Sequence, residues 1–141
     1  MTQQTILYLL DTNILSALIK QPHSILAKRI SSLDSSVFCT SIIVACELRY
    51  GAKKKASPEL IRKIEILLSN IMVLPLSDDV DRHYAVIRAD LEKKGQVISA
   101  NDMLIAAHAL ALDVIVITNN EKEFQRVPAL RVENWLQDIK S

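Results

Sequence analysis

An uninterrupted apolar run, Ile6 to Leu10, stops at a carboxylate, Asp11, and no other feature restricts the fold as much. Successive side chains of a strand point to opposite faces, so an unbroken apolar run leaves neither face for water. Such a strand belongs inside a parallel sheet covered on both sides. Short runs of the same kind return at Val37 to Cys39, Ile71 to Leu76 and Val114 to Ile117, and a last short strand is expected around Leu130 to Val132. Pro75 lacks an amide hydrogen, so the third run must end there or lie at an edge.

Between the runs lie helical patterns with readable ends. Asn13 to Lys20 and Ser24 to Leu33 form the first pair, and Thr40-Ser41 supplies an N-cap for IIVACELRYGA, which ends at Ala52. Ser57-Pro58 opens a helix to about Ser69, since proline suits the first helical position. Ser77-Asp78-Asp79 caps the next, whose apolar stripe is Val80, Tyr84, Ile87 and Leu91 and whose stop is Gly95. Ser99 and Asp102 resemble a capping box ahead of MLIAAHALAL, a helix apolar nearly all round and therefore buried. Strands alternating with helices, and only two glycines and four prolines in 141 residues, predict an α/β fold: a mostly parallel central sheet of four to five strands flanked by helices, with 1–141 forming one domain.

A net charge of +1 gives no global attraction to nucleic acid, so RNA contact has to come from local basic clusters. Cys39 and Cys46 lie in apolar stretches without zinc-like spacing and read as core residues of a reducing cytoplasm. The first residues carry no signal or spanning pattern, which predicts a soluble, cytoplasmic protein with no membrane contact.

In parallel sheets ligands bind beyond the carboxyl ends of the strands. Asp11 and the Thr118-Asn119-Asn120-Glu121-Lys122-Glu123 stretch both follow predicted strands. Taken alone, Asp11 is an ordinary N-cap and Asp102 half of a capping box. Glu47 is harder to explain so plainly: its neighbours three and four residues away are Ile43, Val44, Tyr50 and Gly51. A carboxylate on such a face must pair with a cation, bind a metal or take up a proton. Carboxylates that converge repel one another unless a hard cation lies between them, and Mg²⁺ or Mn²⁺ with oxygen ligands suits phosphodiester hydrolysis by activated water. The chain has no G-x-S-x-G elbow, Walker loop or plausible Cys–His pair, and His108, amid alanines and leucines, is assigned no catalytic role.

LLDTNIL, the CELRYGA stretch holding Glu47, the RHYAVIRADLEKKGQVISANDMLIAAHAL run holding Asp102, and ITNNEKEFQRV together resemble the ordered motifs of PIN-domain ribonucleases of the VapC toxin type, over Asp11 to about Trp135. The resemblance implies a PIN-like fold, Mg²⁺-dependent endoribonuclease activity on structured RNA such as transfer RNA, and inhibition by a VapB-like antitoxin. It also implies a homodimer that meets DNA only through the antitoxin. By position it makes Asp11, Glu47 and Asp102 the acidic core, with Thr12, Asn13, Thr118, Asn120 and Glu121 beside it. Many relatives carry an aspartate where this chain has Asn120, which leaves the fourth acidic position open between Glu121 and Glu123. The glutamate before the phenylalanine favours Glu123.

Lys53, Lys54, Lys55 and Arg49 are the leading candidates for holding the RNA backbone, ahead of Lys93, Lys94 and Arg126. Surplus leucine and isoleucine in the first two helices and in Ile61 to Leu68 offer apolar surface to an antitoxin. Two rivals stand beside this reading. A haloacid-dehalogenase-type phosphatase needs a second aspartate where this chain has Asn13. A catalytically silent RNA- or antitoxin-binding module is favoured by Asn120.

Overall fold

The first apolar run becomes the central strand of the sheet. The structure, a computed structural model, describes residues 5–136. Strand β1 (Tyr8–Leu10) leads into α1 (Thr12–Lys20), α2 (Ile25–Ser31) and a 3-10 turn at Ser35–Val37, then β2 (Phe38–Ser41), α3 (Ile42–Lys55) and α4 (Pro58–Ser69). After β3 (Met72–Leu74) come α5 (Val80–Lys93), α6 (Ala100–Leu112), β4 (Ile115–Ile117), the short α7 (Glu121–Phe124) and β5 (Val132–Glu133). The five strands lie in the order β3-β2-β1-β4-β5, and each neighbouring pair is parallel, as the apolar runs required. β3 is an edge strand that stops just before Pro75.

Chain order runs outward from β1 through β2 to β3, then resumes on the other side of β1 with β4 and β5. The reversal lies between β1 and β4, and connections that leave in opposite directions open a crevice at that point. Leu10 pairs with Ile117, and the Asp11 amide donates to the Ile117 carbonyl at 3.2 Å. The residues that follow the two strands, Asp11 and Thr118, are therefore held side by side at the crevice. The Thr40 hydroxyl ties β2 to the same end by donating to the Leu10 carbonyl at 2.7 Å. Leu9, Ile14, Leu15, Val44, Val116 and Ile117 are fully buried around this junction, so the crevice stands on a close-packed floor.

The helix ends follow the expected chemistry with two exceptions. Ser24, Ser41, Ser57 and Ser99 each accept a backbone amide of their helix's first turn. Asp79 makes no such side-chain bond and has helical backbone angles, so α5 begins uncapped. At its other end Gly95 takes φ +66°, with its amide on the Glu92 carbonyl and that of Gln96 on Leu91. This is the paired bonding of a glycine-terminated helix. The second exception is α3, which does not end at Ala52 but continues through Lys53–Lys55 to Ala56 in the left-handed region. Lysines are good helix formers and offset the partial negative charge of a helix C-terminus, so the basic run lengthens the helix rather than following it.

Two core assignments need correction. Cys39 is buried, which pushes its thiol up to about 12, but Cys46 is exposed because the buried stripe of α3 runs through Val44, Ala45, Leu48 and Ala52. His108 is buried with Nδ1 2.8 Å from the Ser41 hydroxyl, while among the described residues its Nε2 finds no partner. Burial chiefly keeps its pKa below the ordinary range, with the Pro75 backbone carbonyl acting in the raising direction, so the ring is neutral, with a full hydrogen bond at Nδ1 alone. Trp135 closes the last described segment, buried against Tyr8 and Phe38 with the Arg29 guanidinium 4.1 Å above its ring.

The positive φ angles give a direct test. Ala56→Gly should raise the free energy of unfolding by about 1 kcal/mol and Gly95→Ala should lower it by a similar amount. Urea denaturation followed by circular dichroism measures both.

Candidate metal centre

Asp11 is delivered by the end of β1 into the N-cap of α1. Its Oδ1 accepts the Ile14 amide at 3.0 Å, so the capping role is real. The carboxyl is nevertheless only 4 % exposed, far drier than a cap requires. Burial pushes its pKa up to about 6, against lowering hydrogen bonds from the Thr118 side chain and the Ile14 amide, and the nearby charges of Asp102 and Glu47 raise it further. Thr118 is itself fixed, since its hydroxyl accepts the Asn120 amide at 2.8 Å.

Asp102 comes from the first turn of α6, where its amide donates to the Ser99 hydroxyl at 3.1 Å. Its pKa is also raised: burial contributes most, the Ser99 side chain opposes, and Glu47 and Glu123 act in the raising direction. Glu123 is thus an acidic neighbour of Asp102, and carboxylates this close repel one another unless a cation lies between them. Glu121, at the start of α7, acts on neither aspartate.

Glu47 is half-buried, and its partners are neutral. The Thr12 hydroxyl donates to Oε1, and the Asn101 amide donates to Oε2 at 3.2 Å. Among the described residues no arginine or lysine pairs with it. The apolar face imagined around it is only partly so, because Tyr50 is 65 % exposed. Asn101 was missed by sequence reasoning; its one signal was its place beside Asp102 in a first helical turn. Asn13 is exposed and donates to Asn119 at 3.1 Å, joining the start of α1 to the end of β4 outside the carboxyl cluster.

The structure thus brings Asp11, Glu47, Asp102 and Glu123 toward the crevice between β1 and β4, with Thr118 holding Asp11 and with Thr12 and Asn101 holding Glu47. Among the described residues, no three Asp, Glu, His or Cys side chains form a ready-made metal cage. The basic candidates separate. Arg49 is committed to Glu65 through two hydrogen bonds of 2.8 Å, Lys94 pairs with Asp90 at 3.0 Å, and Arg126 reaches the Val97 carbonyl at 3.5 Å. Lys53, Lys54 and Lys55 are exposed on the last turn of α3.

Residues 8–130 match the PIN domain family. The chain is 42 % identical over 131 residues to ribonuclease VapC2 of Haemophilus influenzae, covering 92 % of this chain and 98 % of that protein. It is 36 % identical over 129 residues to the tRNA(fMet)-specific endonuclease VapC of Salmonella typhimurium, covering 91 % and 97 %. In three dimensions it is similar to the crystal structure of VapBC2 from Rickettsia felis bound to a DNA fragment from their promoter, with a TM-score of 0.85 and 36 % identity over 92 % of this chain and 99 % of that one. The chain belongs to the PIN-domain family, among its VapC ribonucleases.

The Asp11 shift has a measurable sign. The group titrates near 3.8 when unperturbed and near 6 in the folded protein without metal, so the folded state holds the proton more tightly. Its contribution is favourable below pH 3.8, and about 3 kcal/mol of it is lost as pH rises through 6. Asparagine keeps the cap without the charge. Asp11→Asn should therefore melt higher than the wild type at pH 7.5 in EDTA, with the gain vanishing near pH 4; differential scanning calorimetry checks both points.

Proposed function

We propose that the protein is a divalent-metal-dependent endoribonuclease, the toxin of a type II toxin–antitoxin pair, that hydrolyses phosphodiester bonds of structured RNA such as transfer RNA. The observation that carries this is the pair of aspartates at the strand-order reversal, both held above their ordinary pKa by burial and by neighbouring carboxyls. Such an arrangement is costly for the free protein and suits a cation. The donors are all oxygen, which fits Mg²⁺ or Mn²⁺ better than zinc. The lack of a ready-made cage agrees with magnesium's habit of keeping several waters and taking only one or two carboxylates.

Asp11 and Asp102 are the direct ligands in this reading. When bound, the ion supplies positive charge to the scissile phosphate and makes a water molecule acidic enough to attack it. Glu47, oriented by Thr12 and Asn101, is placed to take the proton from that water. Glu123, the acidic neighbour of Asp102, supplies the fourth negative charge. That charge weakens the case for a silent binding module, which rested on Asn120. Thr118, Asn13, Asn120 and Glu121 shape the rim, and Lys53, Lys54 and Lys55, with Arg49 beside them, are the leading cations for the RNA backbone.

The partner follows from the relatives and a surface feature. A groove of about 260 Å³ between α1, α2 and α4, lined by Leu15, Leu18, Ile30, Leu33, Leu67 and Ile71 among others, suits the apolar face of a VapB-like antitoxin. DNA is reached only through that antitoxin in this reading, which the promoter-bound VapBC2 complex from Rickettsia felis is in keeping with. A homodimer and a cytoplasmic location complete the reading; among the described residues no helix is long and apolar enough to cross a membrane.

Antitoxin-free protein with Mn²⁺ or Mg²⁺ should cut total bacterial RNA at a few mapped 5′ ends, and EDTA should abolish the cutting. Asp11→Asn, Glu47→Gln and Asp102→Asn should each lower the rate by at least about a hundredfold while the circular dichroism spectrum is kept. Glu123→Gln should cost far more than Glu121→Gln, and the reverse order would reassign the fourth position. Intact RNA under all metal conditions would rule the nuclease reading out.

A further inference from the structure

Gly51 lies in the interior of α3, where glycine is costlier than any residue but proline. The usual reasons for a glycine are missing. Its φ is not positive, unlike that of Gly95, so no turn demands it. A Cβ added there would meet nothing within 4 Å, so no close packing in the free molecule demands it either. What it borders is a groove of about 250 Å³ between α1, α3 and α4. Glu47, Gly51 and Lys55 all line that groove, and their four-residue spacing puts them on one stripe of the helix.

The groove has two chemically different ends. At one are Glu47 and Thr12, which belong to the carboxyl cluster; at the other are Lys20 and Lys55, with Leu48, Ala52 and Ile64 between. Neither lysine is in an ion pair among the described residues. Each closes a helix C-terminus, which accounts for one favourable charge apiece but not for the open backbone at Gly51. Glu47 and Lys55 are about 12 Å apart along the helix axis. A path that leaves a metal-binding carboxylate, crosses an apolar floor and ends between two cations matches a nucleic-acid strand better than an apolar peptide, which would leave both lysines unused.

We infer that Gly51 is a clearance for the RNA strand, letting a nucleotide next to the cut phosphate lie against α3 with its base on the apolar floor and its phosphates toward Lys55 and Lys20. The inference rests on the ribonuclease reading and adds a specificity-determining residue to it. Gly51 touches no reacting atom; it sets how closely the strand can approach.

The test uses Gly51→Ala and Gly51→Leu in antitoxin-free, full-length protein. Gly51→Ala should melt a few degrees higher than the wild type, because helix propensity improves and nothing is displaced. Its affinity for a fluorescein-labelled initiator tRNA transcript, measured by anisotropy in EDTA, should fall about tenfold, and Gly51→Leu should fall further. With Mn²⁺ present, the loss in cleavage should appear in KM more than in kcat. Lys55→Ala should weaken the same binding and flatten its salt dependence by about one charge. Unchanged tRNA affinity in Gly51→Ala overturns the inference, as does a lowered melting temperature. So does a loss confined to antitoxin binding, which would assign the groove to the peptide. A wild type that binds the tRNA without cutting it would overturn the nuclease reading instead, while the Gly51 effect on binding would still decide the clearance.

Discussion

Asp11 is held by two demands that do not agree. As the first polar residue after a fully enclosed strand it must cap α1, and its Oδ1 does so. As a carboxyl packed to 4 % exposure near Asp102 and Glu47 it is costly to ionise. The strand order forces the conflict. With β1 central and the chain reversing direction between β1 and β4, whatever follows β1 must stand at the crevice, beside whatever follows β4. Thr118 then steadies Asp11, and α6 and α7 bring Asp102 and Glu123 against each other. The protein without metal stores this repulsion instead of relieving it, which is how a site prepared for a cation differs from a set of helix caps.

Much of this was legible in the residues. Unbroken apolar runs told a buried parallel sheet from a half-exposed one, and Pro75 told which strand was at an edge. Serine caps at Ser41, Ser57 and Ser99 placed three helix starts, and Gly95 placed a helix end. The carboxylate positions followed from the rule that function sits after strands, together with the family motifs. What stayed hidden depended on contacts between distant segments. NNEKEF favours Glu123 over Glu121 only through a family likeness, and the influence of Glu123 on Asp102 comes from the fold. Nothing near Arg49 in sequence announces Glu65, sixteen residues on, although an RNA phosphate would have to compete with that carboxylate for the guanidinium. Cys46 and Tyr50 sit in an apolar stretch yet face outward, because helix phase and not local composition decides burial.

Helix α3 links most of these roles. Its start is capped by Ser41, which also meets the buried His108. Its middle carries Glu47, and one face then runs through Gly51 to the basic last turn. Thr12 and Asn101 reach it from α1 and α6, so the helix is referenced to both sides of the crevice. A small rotation of α3 would move Glu47 and the groove beside Gly51 together, so the proposed proton acceptor and the proposed strand path share one rigid element.

The crowded carboxyls around Asp11 are proposed to be gathered to hold a divalent ion. Anomalous scattering from crystals grown with Mn²⁺ addresses it directly. The account predicts a peak in the crevice between β1 and β4 with Asp11 and Asp102 oxygens at about 2.0–2.2 Å, absent in Asp11→Asn. A peak elsewhere, or none with the carboxyls still crowded, would contradict it.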